Sequence, residues 1–201
     1  EDTLSKLSAS VVQNFLQLQL REGSTNNVAE VVNALSKVHF NFSNLDLGVF
    51  SEFLGFKELI NEDNISQLSK SRVQSEEILE KAKIFIHVLD LKFRVKKQRK
   101  TTIALFDFEK LFRVLVACSK GSPDKLGKSD VFLQLLKKLH DHKLLTEVSI
   151  HPDSVAEWVL QYSKSGLGLD RALGGIALLD SLNLNLQAAL ERAFKHSEDQ
   201  V

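Results

Sequence analysis

Val28-Ala-Glu-Val-Val-Asn-Ala-Leu-Ser-Lys37 aligns without gaps on Val155-Ala-Glu-Trp-Val-Leu-Gln-Tyr-Ser-Lys164, and six of the ten positions are identical. Leu111-Phe-Arg-Val-Leu-Val-Ala-Cys-Ser-Lys120 fits the same frame. Each block spaces its apolar residues for one face of a helix and ends in Ser-Lys. Ser36, Ser119 and Ser163 are 83 and 44 residues apart, which reads as two units and one unit of a helix pair. The missing unit falls near Ile78–Lys92, where the pattern is degenerate. A helix pair of ~40 residues cannot bury its apolar face alone, and stacking of neighbours completes the core. The expected fold is therefore all-α, with antiparallel helix pairs stacked as a short α-solenoid of about nine or ten helices. The alternative reading of the same blocks is a plain bundle whose amphipathic helices match by chance.

Outward from these blocks the spacing stays helical. Leu4, Leu7, Val11, Phe15 and Leu18 predict one apolar face ended by Gly23. A second helix is expected from Asn27, with Glu30 in a capping-box arrangement, and a third over Leu45–Leu54. Residues 55–73 allow one short helix, and 75–98 read as one long helix through Phe85, Leu89 and Phe93. Phe108–Ser119 and Asp130–Leu144 follow. Pro152 sits at a first helical position, with Ser154 and Glu157 resembling a capping box. Leu169–Leu182 and Leu184–His196 complete the series. We expect a single domain over 1–201, with 98–106 as the place where a weak boundary would fall.

The chain has 201 residues, 43% hydrophobic and 26% charged, which excludes disorder, collagen and a disulfide scaffold. No apolar run approaches the ~20 residues of a membrane span, so the chain is not expected to be transmembrane. Charge balances at 26 against 26 but is unevenly spread. Residues 1–66 carry 4 Lys/Arg against 9 Asp/Glu, residues 67–100 carry 10 against 4, and the remainder 12 against 13. A lone cysteine, Cys118, makes no internal disulfide and points to a reducing or redox-indifferent compartment. Methionine is absent, position 1 included, as expected of a processed chain or a fragment.

The helix ending Asn33-Ala-Leu-Ser-Lys37, with Leu45-Asp-Leu-Gly-Val-Phe50 after it, resembles the heptatricopeptide and octotricopeptide repeats of organelle proteins. Gln161-Tyr-Ser-Lys-Ser-Gly-Leu167 with Leu169 and Leu173 is similar in the same way. These families are related in style to pentatricopeptide repeats. Their members are mostly mitochondrial or plastid proteins that act in organellar RNA metabolism or in large organellar assemblies. The resemblance implies a non-catalytic scaffold subunit of a mitochondrial assembly on the matrix side. An RNA-containing assembly, such as the mitochondrial ribosome or an RNA-processing complex, is the first expectation. The alternative is a structural accessory subunit of a mitochondrial membrane complex such as the ATP synthase. The chain departs from the family pattern in having few clear units and no strong basic excess overall.

Lys92, Arg94, Lys96, Lys97, Arg99 and Lys100 place six cations in nine residues. Such a run can neutralise several phosphates, each adding salt-sensitive affinity. Acidic protein, anionic lipid and a solvated helix end are the other readings. His140 and His142 are i, i+2 and point to different faces of a helix, so with His151 they predict surface histidines rather than a metal site. Cys118 lies on an apolar face and is expected to be a buried structural thiol. Gly174-Gly175 predicts close helix packing, and Trp158 with Tyr162, at i, i+4, a core contact. No paired carboxylates, triad or cofactor motif stands out, so neither an enzyme, a cofactor nor a small-molecule substrate is expected. Protein subunits of a large complex, and RNA, are the expected partners.

Overall fold

Short polar side chains set where the helices begin. Ser24, Asn61, Ser71, Asp107, Asp130 and His151 each accept a hydrogen bond from a backbone N–H two or three residues on. The computed structural model describes residues 2–94, 103 and 106–199. Among them are ten α-helices and no strand: α1 (Asp2–Glu22), α2 (Thr25–Lys37), α3 (Phe50–Phe53), α4 (Glu62–Gln67), α5 (Arg72–Phe93), α6 (Phe108–Gly121), α7 (Val131–Asp141), α8 (Pro152–Ser165), α9 (Asp170–Leu178) and α10 (Leu186–Asp199). The fold is all-α, as expected.

Several boundaries differ from the sequence reading for local reasons. Helix α2 begins at Thr25 rather than Asn27, because the Ser24 side chain satisfies the Asn27 N–H. Pro152 does hold the first position of α8, but His151 Nδ1 caps it and Ser154 is buried. The expected helix over Leu45–Leu54 is reduced to a 3-10 turn and α3, since the Asp46 carboxylate bonds the Gly48 N–H and diverts the chain into a turn.

Helix α1 turns a different face inward from the one expected. Leu16 and Leu20 are buried, whereas Val11, Phe15 and Leu18 are 66%, 49% and 48% exposed. Adjacent helical residues differ by about 100° in direction. Helix α1 packs on α2 and α3, which cover the Leu16 side.

Two successions of contacts organise the rest. Helix α2 packs on α5, α5 on α7, and α7 on α9. Beside them α4 packs on α6, α6 on α8, and α8 on α10. The three matched blocks keep one register of burial. Leu111, Val114, Leu115 and Cys118 of α6 are buried, as are Val155, Trp158, Val159 and Tyr162 of α8, and Val28 and Val32 of α2. The α2 block, however, lies in the first succession while α6 and α8 belong to the second. The terminal Ser-Lys has no shared task. The Ser119 hydroxyl is buried and donates to the Leu115 carbonyl, whereas Ser163 is exposed.

Rings thread the core. Phe85 of α5 lies 5.3 Å from Phe50 and stacks on Phe106 at 4.6 Å. Further along, Phe112 of α6 meets Phe132 of α7 at 4.9 Å, and Phe132 stacks on Trp158 of α8 at 4.7 Å. The segment 98–106 falls largely outside the described residues, but Ile103 and Phe106 are buried in this core.

A Cβ placed on Gly175 of α9 would lie 2.6 Å from Trp158 Cη2, so α9 reaches α8 only with glycine there. Gly174 has open space. Gly175→Ala should destabilise the fold by about 1–3 kcal/mol through overpacking. Gly174→Ala should be neutral or stabilising by about 0.5–1 kcal/mol, because glycine weakens a helix interior. Urea unfolding followed by Trp158 fluorescence separates them, and equal effects would contradict this packing.

Candidate functional site

Lys92 and Arg94 leave the last turn of α5 about 200° apart, and they meet different surroundings. Lys92 departs from the expected anion contact. It is 3% exposed, and its Nζ donates to the carbonyls of Ser43 at 2.7 Å and Leu45 at 2.8 Å. Burial pulls its ammonium below the ordinary lysine range, against the raising influence of Asp46. Its charge is spent on the loop before α3. Arg94 keeps its side chain 61% exposed, with Nη2 donating to Asp90 Oδ2 at 2.6 Å. Lys96, Lys97, Arg99 and Lys100 lie outside the described residues.

Asp90 is the residue that sequence reading missed. Its side chain is 10% exposed and faces cations from two helices. Besides Arg94, it meets Lys138 Nζ at 3.5 Å and His142 Nε2 at 2.9 Å. A carboxylate only accepts, so Nε2 carries the proton in that bond. Burial pushes the Asp90 carboxyl up, but hydrogen bonds from His142 and Arg94 and the charge of Lys138 pull further, leaving it below its ordinary value. His87, one turn earlier, is held below the ordinary histidine range by burial, opposed by Asp90 and reinforced by Arg94 and Lys138.

His142 is therefore not a surface histidine. It is the C-cap of α7 and joins that helix to α5. His140 and His151 are exposed, beside Asp141 and Asp153 respectively. Among the described residues no three His, Cys, Asp or Glu side chains are gathered as a metal-ligand set. The α7 end gathers Lys137, Lys138, His140, His142 and Lys143 close together in sequence. That density of cations was the available signal, and reading it only for metal spacing hides it.

A second carboxylate, Asp130, is 2% exposed and caps α7 at its other end. Its Oδ2 accepts from Trp158 Nε1 at 2.8 Å and from the Tyr162 hydroxyl at 2.5 Å, and its Oδ1 accepts from the Leu133 N–H at 3.3 Å. The Tyr162 oxygen in turn accepts from the Gly127 N–H at 3.2 Å. Burial raises the Asp130 carboxyl despite these donors, and burial together with Asp130 raises the Tyr162 phenol. Every polar group here has a partner, so the cluster is an anchor between α7 and α8. Trp158 and Tyr162 are core residues, as expected. Cys118 is fully buried, and burial pushes its thiol up to about 12, which leaves no thiolate for chemistry at neutral pH.

Surface grooves hold mostly paired charges. One, between α4, α6 and α8, is crossed by ion pairs of Arg113 with Glu62 and of Lys120 with Glu157. Another, between α2 and α5, is lined by Asn26, Asn33, Glu77, Glu80 and His87. Among the described residues no helix is long and apolar enough to cross a membrane. Against known proteins, no family model, no curated protein and no solved structure matches the chain.

Two outcomes are expected from this site. Lys92→Met leaves the Ser43 and Leu45 carbonyls without their donor and should destabilise the fold by about 1–3 kcal/mol. Amide exchange in residues 43–47 should rise with it, and an unchanged exchange pattern would contradict the anchoring role. Asp90 has a depressed carboxyl, so the stability it contributes is complete above the unfolded value of about 3.9 and is lost as pH falls through the lower folded value. Asp90→Asn should therefore flatten the loss of stability below about pH 4, as read by thermal melts across an acid series.

Proposed function

We propose that the chain is a non-catalytic helical-repeat scaffold subunit of a large mitochondrial assembly. We take that assembly to contain RNA, as the mitochondrial ribosome or an RNA-processing complex does, with the basic segment contacting RNA phosphate. The observation that carries the scaffold reading is the double succession of helix contacts, α5–α7–α9 beside α6–α8–α10. From α5 to α10 each helix meets the next but one in the chain, which is the neighbour pattern of stacked pairs. The matched blocks of α6 and α8 support it, since they bury six positions in common. Mitochondrial location rests on the family resemblance.

The anion-contacting set changes in one member. Lys92 is engaged with backbone carbonyls, so the proposed contacts are Arg94, Lys96, Lys97, Arg99 and Lys100. Arg94 supports the reading by its exposure at the head of the segment. The second reading, an accessory subunit of a membrane complex such as the ATP synthase, is favoured by the exposed apolar stripe Val11, Phe15 and Leu18. A charge-poor stripe of that kind suits a protein neighbour.

Sedimentation of the native protein, with and without ribonuclease, tests the proposal. The protein should run in a large particle that ribonuclease collapses. A particle that survives ribonuclease and breaks only in detergent or high salt would replace this reading with the accessory-subunit one. A monomer in both conditions would contradict both.

A further inference from the structure

The α5 and α7 helices belong to distant parts of the sequence, yet their C-terminal ends meet through Asp90. The oxygen Asp90 Oδ2 is shared by Arg94 at 2.6 Å and Lys138 at 3.5 Å, while Oδ1 takes His142 at 2.9 Å. One negative charge thus stands among two permanent cations and a histidine. Lys137 and Lys143, each next in the chain to one of these α7 partners, are exposed, with Asp141 as the nearby acidic residue in sequence. The end carries a surplus of positive charge that the described acidic groups leave only partly compensated.

Two further observations bear on what this end meets. Lys143 holds a left-handed backbone, with φ of 58°, at a helix end where glycine is ordinarily favoured. That conformation reverses the chain after α7, as His39 with φ of 57° does after α2, and Lys143 itself is exposed there. None of the large apolar side chains exposed among the described residues, Val11, Phe15, Leu18, Val38, Ile60, Val73, Leu167, Leu169, Leu173 and Phe194, belongs to α7 or to the last turns of α5. A membrane-lying surface combines cations with an apolar face that enters the lipid. This end offers cations without one, the composition that suits a phosphodiester backbone.

From this we infer that Lys137, Lys138 and Lys143, beside Arg94, form a second phosphate-contacting surface for single-stranded RNA. The inference rests on the RNA reading given above and extends the contact surface to α7. Asp90 acts as the positioning residue: it holds Arg94 and Lys138 on one side of the α5–α7 junction, where successive phosphates meet both helices. A polyanion that engages these cations competes with Asp90 for them. The contacts are to phosphate, so they confer affinity without base preference.

The test is binding of the full chain to a labelled oligouridine across a salt series. Each phosphate contact contributes about 0.7 to the slope of log affinity against log salt for a single strand. The variant K137Q/K138Q/K143Q should lose about two units of slope, and roughly tenfold or more in affinity at low salt. K137Q/K143Q spares the Asp90 cluster and should lose about 1.4 units of slope with unchanged melting, which separates lost contact from lost fold. Wild-type slope in both variants would overturn the inference. If K96Q/K97Q/R99Q/K100Q still weakens binding in that case, the RNA reading itself stands. Failure of the wild-type chain to bind oligouridine, or binding only of polyglutamate or cardiolipin vesicles, would overturn both.

Discussion

Asp90 ties the ends of two helices that the chain places about fifty residues apart, and the character of that end of the molecule depends on the tie. A carboxylate this enclosed is tolerated only with its partners in place, because an unpaired buried charge is strongly destabilising. Arg94, Lys138 and His142 supply those partners from both helices. The pairing does less for net stability than for register, since its attraction is offset by desolvation. It fixes which turn of α5 faces which turn of α7, and so which cations share a surface. Lys92 completes the arrangement on the opposite side of α5 by fastening the Ser43–Leu45 backbone to the same turn.

Helix α7 is held at both ends by carboxylates with different roles. At its start Asp130 caps the helix and takes the indole and phenol of α8. At its end His142 reaches Asp90 of α5. Beside that cap Phe132 stacks on Trp158 and meets Phe112, so the first turn of α7 is also joined to α6 and α8 by ring contacts. Buried apolar area dominates such a core at roughly 25 cal/mol per Å². Polar anchors select one arrangement among the many that apolar contact alone would permit. Gly175 belongs to the same arrangement, since its missing side chain makes room for the edge of Trp158.

The helical class and most helix positions were legible in the sequence because apolar spacing and capping residues speak locally. Pro152 and the buried Val155, Trp158, Val159 and Tyr162 are examples. What was not legible depended on partners far away in the chain. Helix α1 carries two usable apolar faces, and the positions of α2 and α3 decided for Leu16 and Leu20 over Val11, Phe15 and Leu18. Lys92 reads as one of a run of cations, yet the loop beneath it determines that it points inward. His142 reads as a surface residue until α5 supplies Asp90. Ser24 outcompetes Asn27 as a cap for a local reason that a closer reading of the turn contained.

The contact proposed here for RNA is the joined ends of α5 and α7. Ultraviolet cross-linking in intact cells, followed by mapping of the modified peptides, tests it most directly. The account predicts nucleotide adducts on peptides that contain Arg94 and on peptides that contain Lys137–Lys143. Adducts confined to α2, α9 or α10, or no adducts on a protein that still sediments in its native particle, would contradict it.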